Sequence, residues 1–353
     1  VKAAVYYGPG DLRVEEVTKP QVEPGGILGQ VKACAICGSD LKGYLKGNPR
    51  IRPPQVVGHE FVAEVVEVGA GVEEFSPGDR FTMATSIPCG RCWLCRRGLG
   101  NLSPDLKPMA CYYPGAFAEY VAVPAHAVAL GHALAVPEGV SDEAGCLAEP
   151  LSCAVNAQEI AGVSSGNTVV IVGAGPLGCL HAELARARGA SRVIITQRSR
   201  RRQELARHFP VDEVVDASAG DQVERVRELT GGRGADVVIV AAPDPDIQGR
   251  ALAMARKNGV VSLFAGLPSD AAHITVNSRL IHYGQVRLMG ASDSTPRHLS
   301  LALDLLEGGR ISTEKLITHR LPLADILTGY ELVRSGEALK VLIYPVEVPG
   351  GAG

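Results

Sequence analysis

The stretch Thr168-Val-Val-Ile-Val-Gly-Ala-Gly-Pro-Leu-Gly178 decides how this chain folds. A β-branched apolar run ends in Gly173-Ala-Gly175-Pro176-Leu177-Gly178, and the residues that follow, up to Arg188, are the Leu, Ala, Glu and Arg of a helix. A strand, a tight turn and a helix in that order let a dinucleotide pyrophosphate approach bare backbone. The phosphates then rest on N–H groups at the positive end of the helix dipole. Glycines at this spacing occur by chance in many turns, and it is the strand before and the helix after that make this one specific.

Outward from that turn the same rhythm continues. Strands at 168–172, 192–196, 213–215, 236–240 and 259–264 alternate with helices at 177–189, 200–208, 221–230 and 246–256, and a last strand lies at 285–289. Such alternation predicts an α/β fold, a doubly wound parallel sheet with crossover helices. Before residue 150 the pattern is different: Val and Ile alternate with polar residues over 2–7, 12–17, 29–35, 61–68 and 117–123, punctuated by Gly-Pro-Gly and Pro-Gly-Asp turns. That reads as a small β-rich, barrel-like domain. After residue 290, helices at 297–307 and 323–334 and a strand at 340–344 are expected to return to the first domain, with a frayed end at Gly350–Gly353. The expected division is therefore 1–150 catalytic, 151–290 dinucleotide-binding, and 291–353 completing the catalytic part.

Composition narrows the function. No apolar run in the 353 residues approaches the roughly 20 that a bilayer span needs, so no membrane role is expected. A net charge of −3 gives no polyanion-binding surface, so no nucleic-acid partner is expected either. The nine cysteines, three of them in one tight cluster, suit reduced thiols and metal ligation in a cytoplasmic setting better than a disulfide framework.

Two places in the first domain carry ligand chemistry. Cys37-Gly-Ser-Asp40 follows one expected strand, and Gly58-His59-Glu60 precedes another. A thiolate, an imidazole and a carboxylate are ligand types that zinc accepts, and a catalytic site uses three of them while leaving a position open. Glu149, in Ala148-Glu-Pro-Leu-Ser152, offers a further carboxylate. Taken singly, each has a plain structural reading, as a small buried thiol, an ordinary histidine or a helix-start acid. Taken together beside a cofactor domain, they point to a metal.

These motifs, with Gly69 and Val72 behind the histidine and the segment Gly115-Ala-Phe-Ala-Glu-Tyr120, resemble the zinc-dependent medium-chain dehydrogenases, and within them the sorbitol and polyol dehydrogenase branch. The resemblance covers nearly the whole chain. It implies a GroES-like catalytic domain, a nested Rossmann domain and an active-site zinc in the cleft between them. It maps Cys37, His59 and Glu60 as zinc ligands, with Glu149 either a further ligand or the holder of a metal-bound water. Ser39 is implied as the first carrier of the alcohol proton. Where the family has a histidine in that relay this chain has Lys42, which is either a relay group or a solvated side chain. Ala63 stands where the family pattern has glycine.

The family also implies a structural zinc at Cys89, Cys92 and Cys95, but the fourth cysteine of that lobe is replaced by Ser103. Neutral serine is a poor zinc ligand. Either Cys111 moves in as the replacement, or the lobe survives by packing.

Cofactor choice rests on the end of the second Rossmann strand. An acidic residue there holds the ribose 2′-hydroxyl of NAD(H), whereas arginine accommodates the 2′-phosphate of NADP(H). Here Gln197 takes the acidic position and Arg198 and Ser199 follow, which favours NADP(H) over NAD(H). Ala241, Ala265, Gly266 and Leu267, at the ends of later strands, are expected to line the nicotinamide. Asp293 stands where the polyol branch often has a substrate-binding arginine, so it is either a contact for a hydroxyl-rich or amine-bearing substrate or a simple turn residue.

The expected activity is interconversion of a secondary alcohol (a polyol, cyclitol or sugar alcohol) and its ketone by an NADP(H)-linked homodimer or homotetramer. The alternatives are a threonine-type or short-chain alcohol dehydrogenase using NAD(H), and a non-catalytic nucleotide-binding relative. The ligand residues count against the last, since a sensor needs no metal.

Overall fold

A computed structural model describes residues 1–346, so the expectation for Gly350–Gly353 lies outside the described residues. The chain forms two compact units, Val1–Ser152 with the segment from Asp293 onward, and Cys153–Ser292.

The second unit is built on six parallel strands in the order Glu213–Asp216, Arg192–Gln197, Thr168–Val172, Ala235–Val240, Ala255–Leu263 and Arg287–Gly290. Its central strands are apolar on both faces because helices cover both: Val169 to Val172, Val193 to Ile195 and Val237 to Val240 are all buried. Strand order reverses between Thr168–Val172 and Ala235–Val240, and ligands bind at such switch points in open sheets of this kind.

One element departs from expectation. The helix placed at 246–256 stops at Arg250, a 3-10 turn takes Ala251–Met254, and the strand begins at Ala255 rather than 259. Ala251, Leu252, Met254 and Ala255 are all buried, so their apolar spacing matched a helix face. The strand accommodates Asn258 at φ 58 through a shift in its register with Ala235–Val240.

In the first unit a seven-stranded, mainly antiparallel sheet carries the core. The strand Ile27–Ala35 lies at its centre. It pairs with Glu60–Val68, with Tyr120–Val123 and, through Leu342↔Ala35 and Ile343↔Cys34, with the late strand Lys340–Tyr344. The strand expected at 117–123 starts only at Tyr120. Ahead of it the chain crosses between strands: Phe117 donates its N–H to Val57 O and accepts from Ala4 N–H. A Cβ on Gly115 would lie 2.6 Å from the Val57 backbone, which explains the glycine at that crossing. Elements not anticipated from the sequence include the helix Gly38–Lys46 and the strand Ile317–Pro322. Ala63 is fully buried and pairs with Val31, and a Cβ on nearby Gly29 would lie 2.9 Å from its methyl, so the glycine on the neighbouring strand leaves room for it.

Candidate active site

Cys37 caps the N-terminus of the helix Gly38–Lys46, at the point where the chain leaves the strand Ile27–Ala35. On the facing strand, Glu60 pairs in register with Ala35. His59 reaches the same place because Gly58 turns the chain at φ +94. A Cβ there would meet the Phe117 ring at 2.7 Å, so only glycine fits. The outcome is convergence: one ligand atom each from Cys37, His59 and Glu60 lies within 4.8 Å of the others. Sulfur, nitrogen and oxygen donors gathered from two separate turns fit a catalytic zinc.

Asp40 holds this set together and was not singled out from the sequence. Its Oδ2 accepts the Cys37 N–H at 3.0 Å, and its Oδ1 lies 3.2 Å from His59 Nδ1. Pairing Nδ1–H with a carboxylate leaves the Nε2 lone pair for a ligand, which fixes tautomer and ring orientation together. Burial works against a charge on His59, but the Asp40 carboxylate and the Cys37 sulfur outweigh it and raise the imidazole pKa well above its ordinary value. Substituting Asp40→Asn is expected to weaken zinc binding about 10- to 100-fold. Competition with a chromophoric chelator checks this, and unchanged affinity would make Asp40 an ordinary helix cap.

Glu60 and Lys340 form a buried ion pair, with Glu60 1% and Lys340 2% exposed. Burial disfavours the ammonium, but Glu60, with Cys37 behind it, reverses the sign and raises the Lys340 pKa.

Glu149 stands apart from the three-ligand set. It lies in the first turn of the helix Ala148–Ala161, where Thr85 Oγ1 donates to its Oε1 at 3.4 Å and Asp293 brings a carboxylate oxygen within 4.8 Å. Burial lifts its pKa to about 7, with His59 pulling the other way and Glu60 and Asp293 adding to the rise. Glu149 is not gathered within 4.8 Å of Cys37, His59 and Glu60, but it is close enough to feel the charges of His59 and Glu60, which suits either implied role, further ligand or holder of a metal-bound water.

Ser39 Oγ lies 3.4 Å from His59 Nε2, on the exposed side of the set. A cavity of about 40 Å³ beside it is lined by Ser39, Asp40, Tyr44, Asn48, Cys111 and Tyr330, among others. That volume holds about one water-sized group. Lys42 does not line it and is exposed, so the solvated reading of this lysine fits.

In the cysteine lobe, Cys89, Cys92 and Cys95 also gather within 4.8 Å, with the Cys92 and Cys95 sulfurs 3.3 Å apart. Ser103 occupies the fourth corner, its Oγ 3.5 Å from Cys89 Sγ and 3.7 Å from Cys92 Sγ. Cys111 is not the replacement: Asn48 Nδ2 donates to its sulfur at 3.9 Å, beside the His59 cavity. The Ser103 hydrogen bond, with backbone N–H groups of Arg91 and Cys92, brings the Cys89 pKa down to about 6. Three thiols and a neutral hydroxyl do not complete the closed set of four that a structural zinc takes. The protein is expected to carry one zinc per chain and its Ser103→Cys variant two, by elemental analysis. Two zincs in the parent would contradict this reading of the lobe.

In the second unit the glycine turn is as tight as expected. Gly173 has φ +104, and a Cβ on Gly178 would lie 2.0 Å from Gly173 O. Gly175 caps the helix Pro176–Ala187, with Pro176 and Leu177 opening its first turn. Ala241 donates its N–H to Val172 O and Ala265 donates to Val240 O, so both sit at strand ends, with Gly266 and Leu267 just beyond. A pocket of about 200 Å³ at the reversal point is lined by Gly173, Gln197, Arg198, Asp244 and Ile247, among others.

Gln197 folds back there, its Oε1 accepting from the Arg198 and Ser199 N–H groups at 2.7 and 3.2 Å. The Ser199 hydroxyl caps the next helix, accepting from Arg202 N–H. Asp244, which the sequence reading passed over, caps the helix Pro245–Arg250 through Oδ1 and pairs with Arg198 at 3.1 Å through Oδ2. The signal for it was present in the Asp-Pro pair, a helix cap followed by proline in the first turn.

The sequence of the first unit matches the model of the alcohol dehydrogenase GroES-like domain over residues 23–133, and residues 176–308 match that of the zinc-binding dehydrogenase domain. A sorbitol dehydrogenase from Halalkalibacterium halodurans is 34% identical, over 97% of this chain and 98% of that protein. An L-threonine 3-dehydrogenase from Pyrococcus abyssi is 37% identical over 93% of each. Among solved structures, a chain described as a zinc-binding dehydrogenase from Sinorhizobium meliloti 1021 bound to NADP superposes with a TM-score of 0.91 at 32% identity, over 98% of this chain and 99% of that one. No described helix is long and apolar enough to cross a membrane.

Proposed function

The chain belongs to the zinc-dependent medium-chain dehydrogenases, on its polyol dehydrogenase-like side, and from that premise we propose that it interconverts a polyol-type secondary alcohol and its ketone with NADP(H). The observation that carries the reading is the convergence of Cys37, His59 and Glu60 within 4.8 Å. A zinc bound there supplies Lewis-acid polarisation of the alcohol oxygen. The protein's own residues do the rest. Asp40 orients His59 and Cys37, Ser39 Oγ takes the alcohol proton on the exposed side, and Glu149, with its pKa near neutrality, holds a water or substrate hydroxyl.

The preference for NADP(H) rests on Gln197 and Arg198. With no carboxylate at position 197, nothing there repels a 2′-phosphate. Asp244 keeps the Arg198 guanidinium at the edge of the pocket until a doubly charged phosphate competes for it. Loss of a charge-assisted hydrogen bond of about 1.5–3 kcal/mol means Arg198→Ala should raise KM for NADP(H) roughly 10- to 100-fold. KM for NAD(H) should change little, and an equal effect on both cofactors would remove the argument.

Asp293 supports a substrate rich in hydroxyls or bearing an amine, because its carboxylate stands beside that of Glu149. Its φ of 58° is one that asparagine also adopts readily, so Asp293→Asn changes charge with little strain. A threonine-type substrate is the second reading, favoured by the threonine dehydrogenase among the relatives. A titration of NADP and NAD against polyols, amino alcohols and simple secondary alcohols, on parent and Asp293→Asn, separates the two. Polyol turnover whose rank falls in the variant supports the first reading, and amino alcohols leading with NAD support the second. Further parts of the proposal are assembly as a homodimer or homotetramer, and Ala265, Gly266 and Leu267 beside the nicotinamide.

A further inference from the structure

We propose that the edge of the parallel sheet where its strands begin carries a second nucleotide site, a pocket for a nucleoside diphosphate separate from the glycine turn. A pocket of about 640 Å³ lies there, within the size range of small-ligand sites. Its walls come from the approaches to three neighbouring strands. Gly232 and Arg233 precede Ala235–Val240, Ala255 to Lys257 open Ala255–Leu263, and Val286 precedes Arg287–Gly290. Because the strands are parallel, these starts share one edge, whereas the glycine turn follows the end of Thr168–Val172 at the other. Occupation of one site therefore leaves the other open.

Charge selects the ligand. Five cationic side chains line the pocket and no acidic one does, in a chain whose net charge is −3. Two of the five serve the fold. Arg227, in the last turn of the helix Gln222–Leu229, donates to the carbonyls of Arg233 and Ala255, and Arg256 is tied to Asp236 at 2.6 Å. The others, Arg233, Lys257 and Arg279, form no ion pair among the described residues. A cavity lined by one sign of charge concentrates anions, and phosphate oxygens take charge-assisted hydrogen bonds from guanidinium and ammonium groups. The rest of the wall suits a base. Leu280 and Val286 join the apolar core beneath the sheet, and Tyr283 keeps its ring 66% exposed, with the Arg279 guanidinium 4.8 Å from the ring centroid. Bases stack on aromatic rings and on guanidinium planes. Inorganic phosphate would use the cations and leave the ring idle, whereas a nucleoside diphosphate uses both.

The test is calorimetric titration of ADP into the NADPH-saturated protein at low salt, with the glycine turn already filled. One ADP per chain is expected, bound more weakly as salt rises, with pyrophosphate about tenfold weaker for want of the stacked base. Arg233→Ser combined with Lys257→Ser should weaken ADP about tenfold or more, the loss expected when charge-assisted hydrogen bonds are removed. Tyr283→Ala should weaken ADP roughly tenfold and leave pyrophosphate unchanged. All three side chains are exposed, so folding and alcohol turnover should match the parent. Absence of ADP binding by the NADPH-saturated parent overturns the proposal, whether a second copy of the chain covers the pocket or its cations are simply solvated. Equal ADP affinity in the parent and the Arg233→Ser, Lys257→Ser variant overturns it as well. Pyrophosphate bound as tightly as ADP, with Tyr283→Ala without effect, would leave an anion cluster that reads no nucleoside and would overturn the assignment of the ligand.

Discussion

Replacing Cys37 with serine is expected to remove the catalytic zinc and lower kcat/KM for the alcohol about a thousandfold or more. Lewis-acid stabilisation of a developing alkoxide is worth several kcal/mol, and each 1.36 kcal/mol lost from the transition state is about tenfold in rate. The substitution is sterically mild. Cys37 is the N-cap of the helix Gly38–Lys46, a position serine suits well, so the helix should form as before. What is lost is the thiolate, the one soft donor in the set. A folded Cys37→Ser protein with normal cofactor binding, no zinc and no turnover is the expected result, checked by elemental analysis, NADPH fluorescence and assay on one preparation. Retained turnover would mean that the chemistry does not use the metal set.

A comparable loss by an independent route is expected from Gly178→Ala. The added methyl carbon would lie 2.0 Å from the carbonyl oxygen of Gly173, a backbone atom that cannot swing aside as a side chain would. Relief requires either the helix Pro176–Ala187 or the turn to move, and overpacking of this kind costs about 3 kcal/mol or more. Since the turn is what presents N–H groups to the pyrophosphate, NADPH affinity should fall by more than stability alone would suggest. Zinc content should stay at the parent level, because every member of the metal set belongs to the other unit. Thermal unfolding and NADPH titration, run beside a zinc count, check all three. A variant with unchanged melting temperature and NADPH affinity would contradict the reading of the turn.

These two substitutions touch the parts of the molecule most legible in the sequence. The glycine turn was readable because its constraints are local: a β-branched strand, a backbone contact that excludes Cβ and a helix follow one another within a single stretch. Cys37, His59 and Glu60 were readable because few other residue types bind zinc. Asp40 was hidden for the opposite reason, since an acid in the first turn of a helix is commonplace and only its contacts with Cys37 and His59 set it apart. Lys340 is 280 positions from Glu60, and its meeting with the carboxylate depends on two strand pairings that no local pattern encodes. The neighbours of Glu149 were hidden for a related reason, because the approach of Thr85 and Asp293 is a tertiary fact. The misplaced strand start near Ala255 arose where buried small residues satisfy helix and strand periodicity equally.

The account depends on Cys37, His59 and Glu60 holding one ion. Its most direct test is titration of the metal-free protein with cobalt, following the thiolate-to-cobalt charge-transfer band in the parent and in Cys37→Ser. The account predicts a saturable band in the parent that disappears when Cys37 is replaced. A band that survives unchanged in Cys37→Ser would place the ion elsewhere and contradict it.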